Sequence, residues 1–125
     1  MKETIKEKAS KNFKQGLNCS QSVIEAYSQA SDLDPGTAKA VSVGFGGGMG
    51  RTQKTCGAVS GAIMAIGCKY YNGNDSAGSK EKAYAKTREF LESFENIHGS
   101  SDCIDLLGVD LNTDEGKKEY REKGL

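Results

Sequence analysis

Apolar residues recur at intervals of three and four along most of the chain, the period of amphipathic helices that share a core. With a single proline, Pro35, to interrupt them, the pattern predicts an all-α protein. A first helix is expected over about residues 2–15, with Ile5, Ala9 and Phe13 on one stripe and Gly16 as its stop. The second follows at once. Asn18 caps it, Gln21 completes a capping box, and Val23, Ile24, Tyr27 and Ala30 face inward. A turn over Asp32–Pro35 leads to a short helix at about 36–43. That helix gives way to Gly44-Phe45-Gly46-Gly47-Gly48-Met49-Gly50-Arg51, where five glycines in eight positions make continued helix costly, by about 1 kcal/mol each relative to alanine. A glycine-rich loop is predicted there.

Thr55 or Thr52 is placed to cap the next helix, at about 56–71, whose residues are apolar or small nearly all round, as suits a buried central helix. Gly57, Gly61 and Ala65 share one side, so a neighbouring backbone can approach closely. A polar connection at 72–78 precedes a strongly amphipathic helix at about 79–97, with Ala83, Thr87, Phe90, Leu91, Phe94 and Ile97 on its inner side. Cys103–Leu107 reads as one helical turn stopped by Gly108. Residues 113–123 read as a polar helix capped by Asn112, with Glu115 at the box position. Tyr120 is the only large apolar side chain of that last helix, which is therefore expected to lie on the surface or to lack a covering element.

The 125 residues and 13.3 kDa suit one compact helical bundle, residues 1–125 as a single domain. Lys and Arg number 17 against 17 Asp and Glu, so no net field concentrates nucleic acid or anionic lipid, and no nucleic-acid partner is expected. The longest apolar stretch, Ala58–Cys68, holds two glycines and is 11 residues long, about half of the ~20 that a bilayer crossing needs. No membrane insertion is expected. The first eight residues carry both signs of charge and lead to no apolar signal region, so the expected compartment is the cytoplasm.

In a reducing compartment the four cysteines need individual readings rather than a disulfide framework. Cys19 follows Asn18, Cys56 follows Thr55 and Cys103 follows Asp102, so three of the four stand just after a helix-capping residue type. The free amides and positive dipole end of a helix start favour an anion, which lowers a thiol pKa from about 8.5 toward neutrality. Lys54 and Arg51 would add to that effect at Cys56 if their side chains fold back. Cys68 falls near the end of the apolar helix, where the dipole has the opposite sign, and reads as core. The gaps of 36 and 46 residues between the three helix-start cysteines match no local zinc pattern. Cys19, Cys56 and Cys103 are candidate catalytic residues, and candidate metal ligands if the fold gathers them.

The glycine segment fits neither the dinucleotide-binding fingerprint nor the Walker A spacing. Its amides at Gly46, Gly47 and Gly48 could still hold an anionic group beside Arg51, and these four are candidate cofactor-binding residues. His98, before Gly99, reads as a solvated loop residue with no partner for base catalysis.

Four blocks carry a family resemblance: Gly16-Leu17-Asn18-Cys19-Ser20-Gln21-Ser22-Val23, the glycine segment Gly44–Arg51, Cys56-Gly57-Ala58-Val59-Ser60-Gly61-Ala62 with Met64-Ala65-Ile66-Gly67, and Cys103-Ile104-Asp105-Leu106-Leu107-Gly108. With these the sequence resembles the bacterial and archaeal C_GCAxxG_C_C family across nearly its whole length. The resemblance implies a small helical redox-active protein, often encoded near transporter genes, with no established substrate, and gives the family's cysteine roles to Cys19, Cys56 and Cys103. It also implies a fourth cysteine beyond the segment that here ends Glu122-Lys123-Gly124-Leu125. Cys68 is not its counterpart, because the family generally has an aliphatic residue there.

Three functions compete. In the first, a cytoplasmic thiol redox protein, Cys56 is the low-pKa thiolate and Cys19 or Cys103 resolves it by disulfide formation. The partner would be a redox protein or small ligand. In the second, the same thiols hold a metal ion, an iron–sulfur cluster or a small cofactor without turnover. In the third, the cysteines are incidental to a helical partner protein, and the small faces of the central helix leave room for a homodimer.

Overall fold

The computed structural model describes residues 4–29, 31–110 and 112–123. It is all-helical, as the apolar period predicts, and among the described residues the nearest thing to a sheet is one isolated antiparallel bridge, Thr55–Asp102. No helix among them is long and apolar enough to cross a membrane.

Helix α1 (Ile5–Lys14) starts later than the expected residue 2, at a capping box: Thr4 Oγ1 accepts from Glu7 N–H and Glu7 Oε2 accepts from Thr4 N–H. It stops where expected. Gly16 has φ +108°, and the Leu17 and Gly16 amides donate to Asn12 O at 3.1 Å and Phe13 O at 3.2 Å, which closes the last turn in a Schellman motif. Helix α2 (Cys19–Ser28) has the predicted Asn18–Gln21 box. Pro35 and the Asp34 cap start α3 (Pro35–Ser42), and the bonds from Thr37 N–H and Oγ1 hold the Asp34 carboxyl below the usual carboxylate range. Helices α5 (Gly57–Tyr70), α6 (Ser76–His98), α7 (Cys103–Leu107) and α8 (Asp114–Lys123) complete the order.

The most deeply buried helix is α2 rather than α5. It packs on α1, α3 and α5, and buries Ser20, Ser22, Ile24, Glu25, Ala26 and Ser28. Its buried hydroxyls are satisfied, Ser20 Oγ donating to Ser42 O at 2.7 Å and Ser22 Oγ to Asn18 O at 2.6 Å. Glu25 accepts from Gln29 Nε2 at 2.6 Å and from Asn12 Nδ2. Burial in α5 is confined to its start, at Gly57, Val59, Ser60 and Gly61. The expected stripes are only partly covered: Ile5, Phe13 and Ile97 are exposed, Val23 and Tyr27 half-buried, and Ala30 lies outside the described residues. His98 closes α6, with its ring 4.4 Å from that of Phe94. The fully buried apolar residues, Ile24, Ala26, Ala38 and Val59, place the core where α2, α3 and the start of α5 meet.

Between α3 and α5 the chain passes through a 3₁₀ turn (Val43–Phe45) and the short turn α4 (Gly46–Met49). Gly47, Gly48, Met49, Gly50 and Arg51 have φ of 63°, 69°, 69°, 61° and 65°, one continuous left-handed turn. Glycine adopts this freely, whereas Met49 and Arg51 each bear a cost of about 1–2 kcal/mol. Cross-turn bonds hold them there, with Gln53 N–H donating to Gly47 O at 3.0 Å and Lys54 N–H to Gly48 O at 2.9 Å.

Candidate functional site

The left-handed turn delivers residues 53–56 alongside residues 101–104. Cys56 N–H donates to Ser101 O at 2.7 Å, Cys103 N–H to Lys54 O at 2.6 Å and Ile104 N–H to Gln53 O at 3.1 Å. Cys56 and Cys103, far apart in sequence, therefore flank the Thr55–Asp102 bridge. Gln53 secures the junction from beneath. It is 4% exposed, has φ 59°, donates from Nε2 to Val109 O at 2.6 Å, and its side chain hydrogen-bonds Cys103.

Cys19 reaches the same place through α2. A Cβ on Gly57 would strike Cys19 Sγ and stand 2.9 Å from Phe45 O, and one on Gly61 would stand 2.8 Å from Ser20 O. The small face of α5 thus seats the start of α2, leaving the Cys19 sulfur against the residue that follows Cys56. Asn18 Nδ2 donates to Val43 O at 2.9 Å and fixes the α2 start against the glycine segment.

Cys19 and Cys103 are the first residues of α2 and α7. Cys56 is itself the N-cap of α5, without a capping side-chain bond, rather than a residue capped by Thr52 or Thr55. The Thr55 backbone is taken up by the bridge, and the Thr52 hydroxyl donates back to Gly48 O and Met49 O. All three cysteines line one cavity of about 630 Å³. Cys103 is buried, Cys19 and Cys56 are half-buried, and all are free thiols.

At Cys103 the expected lowering of the thiol pKa is reversed. Burial pushes it up, the neighbouring Cys56 and Cys19 push the same way, and the Gln53 hydrogen bond offsets part of the rise. Helix α7 has only five residues, so its amide end is too weak a counterweight to desolvation.

Cys68 is exposed, not core: it faces an outer apolar groove with Met64, Tyr71 and Tyr84. Of the glycine-segment candidates, Gly47 and Arg51 line the cysteine cavity, while Gly46 and Gly48 are buried behind it. A Cβ on Gly46 would meet Asn18, and one on Gly48 would come within 2.6 Å of Gln53 Cα, so close packing accounts for both. Lys54 is exposed and does not line the cavity. Among the described residues, no three His, Cys, Asp or Glu side chains are arranged as a metal-binding set.

The opposite wall comes from α8. Lys117, Tyr120 and Arg121 line the cavity, so the helix lies on the surface, as one of the two expectations has it, and turns one face to the thiols. Their i, i+3, i+4 spacing was the available signal. The cap also differs from expectation: Thr113 Oγ1 accepts from Gly116 N–H at 2.9 Å, whereas Asn112 Nδ2 donates to Arg51 O at 3.1 Å. For Gln53 the sequence offered no signal, since its role comes from a left-handed backbone at a non-glycine residue.

Thiols from three distant segments, drawn to one cavity in an all-helical frame, define a helical cysteine protein. The profile of the family described as "Putative redox-active protein (C_GCAxxG_C_C)" matches residues 17–124, a span that contains all three, and the chain belongs to that family. No curated protein and no solved structure matches the chain.

Proposed function

We propose that the protein carries out thiol–disulfide exchange at Cys56, resolved by Cys103 or Cys19, in a reducing compartment such as the cytoplasm. The observation that supports this is the convergence of the three cysteines on one cavity. The Cys56 thiolate attacks one sulfur of a disulfide RS–SR, forming Cys56–S–SR and expelling RS⁻. The second cysteine gives up its proton and attacks Cys56 Sγ, expelling the other RS⁻ and leaving an internal disulfide. Two electrons pass from the protein to the substrate, and a dithiol partner restores the reduced form by the reverse exchange.

Charge bookkeeping favours that order. While Cys56 is a thiolate it disfavours ionisation of Cys103. Once Cys56 is bonded in the mixed disulfide this repulsion vanishes, so Cys103 ionises more readily at the step that needs it.

The test is peptide mapping of anaerobically reduced protein after treatment with a small disulfide. The expected products are a Cys56–substrate adduct and then an internal disulfide joining Cys56 to Cys103 or Cys19. Cys56→Ser should abolish both and Cys68→Ser neither. Protein that forms no internal disulfide, or that is isolated with metal protecting the three thiols from alkylation, would sink the proposal.

A further inference from the structure

The cavity's charge is one-sided. Arg51 from the left-handed turn and Lys117 and Arg121 from α8 line it, and no carboxylate lines it among the described residues. Among the described residues none of the three cations has an ion-pair partner there, and the ion pairs Lys86–Glu89 and Lys118–Glu122 lie on outward faces. In a chain with 17 cationic and 17 anionic side chains, such an excess at the thiols is a local arrangement. Between the cations the wall is apolar, supplied by Phe13, Leu106, Leu107 and Tyr120. The volume of about 630 Å³ is that of a small-molecule site.

We infer that the substrate is a small-molecule disulfide flanked by anionic groups, carboxylate or phosphate, held by Arg51, Lys117 and Arg121 with its sulfur–sulfur bond at Cys56. This rests on the exchange reading above and names the substrate class of the same site. The cations lower the energy of an approaching dianion, and desolvation by the apolar wall strengthens that attraction relative to open water. They also stabilise the thiolate that leaves. The exchange is the one already balanced: Cys56 sulfur bonds one substrate sulfur, and the other departs with the electron pair.

The experiment compares three small disulfides of opposite charge on the full chain: dianionic 3,3′-dithiodipropionate, neutral 2-hydroxyethyl disulfide and dicationic cystamine. Each rate is divided by that of a free small-molecule thiol with the same reagent, which removes intrinsic reactivity. The dianion should be favoured by about tenfold or more, the preference shrinking as salt rises. Lys117→Glu with Arg121→Glu, both on exposed positions of α8, should transfer the preference to cystamine, and Lys117→Gln with Arg121→Gln should abolish it. Equal normalised rates, or a preference untouched by these variants, would overturn the inference while leaving thiol exchange standing.

A second arm needs no exchange. The unreactive thioether 3,3′-thiodipropionate, and separately inorganic phosphate, are tested for protection of Cys56 against neutral iodoacetamide. Protection that is lost in the Glu variants supports an anion site even if no disulfide is reduced, and the more protective of the two identifies the anionic group. Absence of protection by either overturns the site.

Discussion

Cys103 is the residue at which physical effects conflict most openly. It starts a helix and accepts help from Gln53, yet burial dominates and holds the thiol pKa above its ordinary value, with Cys56 and Cys19 adding to the rise. A raised pKa means that the folded state binds the proton more tightly than the unfolded chain. This contribution to stability is complete below the unfolded thiol value, about pH 8.5, and is lost as pH climbs through the folded one. Urea unfolding should therefore show the wild type losing stability more steeply than Cys103→Ser as pH rises above about 8.5. Removing Cys56 charge with Cys56→Ser should shift the alkylation midpoint of Cys103 downward, but not to that of a free thiol, since burial is the larger cause. Parallel pH curves for wild type and Cys103→Ser would show that the buried thiol is not coupled to folding.

Among the elements, the junction of α2 with α5 carries both stability and chemistry. Gly57 and Gly61 present no side chain to the α2 start, and the space a methyl would need is already occupied by Cys19 Sγ, Phe45 O and Ser20 O. Two of those obstacles are backbone atoms that cannot rotate away. Gly57→Ala should cost about 1–3 kcal/mol in urea unfolding and also change the alkylation rate of Cys19, whereas Gly67→Ala, with open space around it, should do neither. Equal behaviour of the two variants would mean that α2 and α5 are not in the close contact described. Much at this scale was readable beforehand. The Asn18–Gln21 box, the Gly16 and Gly108 stops and the small face of α5 follow from local chemistry that a sequence displays. What escaped was set by tertiary placement. Cys68 has apolar neighbours but stands in an open groove that nothing among the described residues covers, and Lys117, Tyr120 and Arg121 look idle until α8 is placed beside the thiols. The left-handed run through Met49, Arg51 and Gln53 is invisible because glycine content announces freedom of the backbone, not the path taken.

For the molecule as a whole, the proposed disulfide would tie together segments that are far apart in the chain. Cys56 is separated by 36 residues from Cys19 and by 46 from Cys103, and closing either loop removes chain entropy worth about 4 kcal/mol from the unfolded state. The two candidate pairings thus give the same expectation, which frees the prediction from knowing which one forms. The apolar core is small, with Val59 and Ile24 its largest fully buried side chains, so a gain of that size would be a substantial fraction of total stability. Protein oxidised to the internal disulfide should show a raised urea midpoint relative to the reduced form, while Cys56→Ser treated identically should not shift. The same free energy acts on the redox couple: each 1.4 kcal/mol by which folding favours the disulfide lowers the reduction potential by about 30 mV. Burial of Cys103 leaves this balance unchanged at neutral pH, because it raises the energy of the thiolate and not that of the thiol. The balance is measured by comparing the oxidised-minus-reduced stability with the reduction potential from equilibration against a dithiol buffer. An oxidised form no more stable than the reduced one would mean that closing the disulfide strains the junction, and would remove loop entropy as the factor that sets its potential.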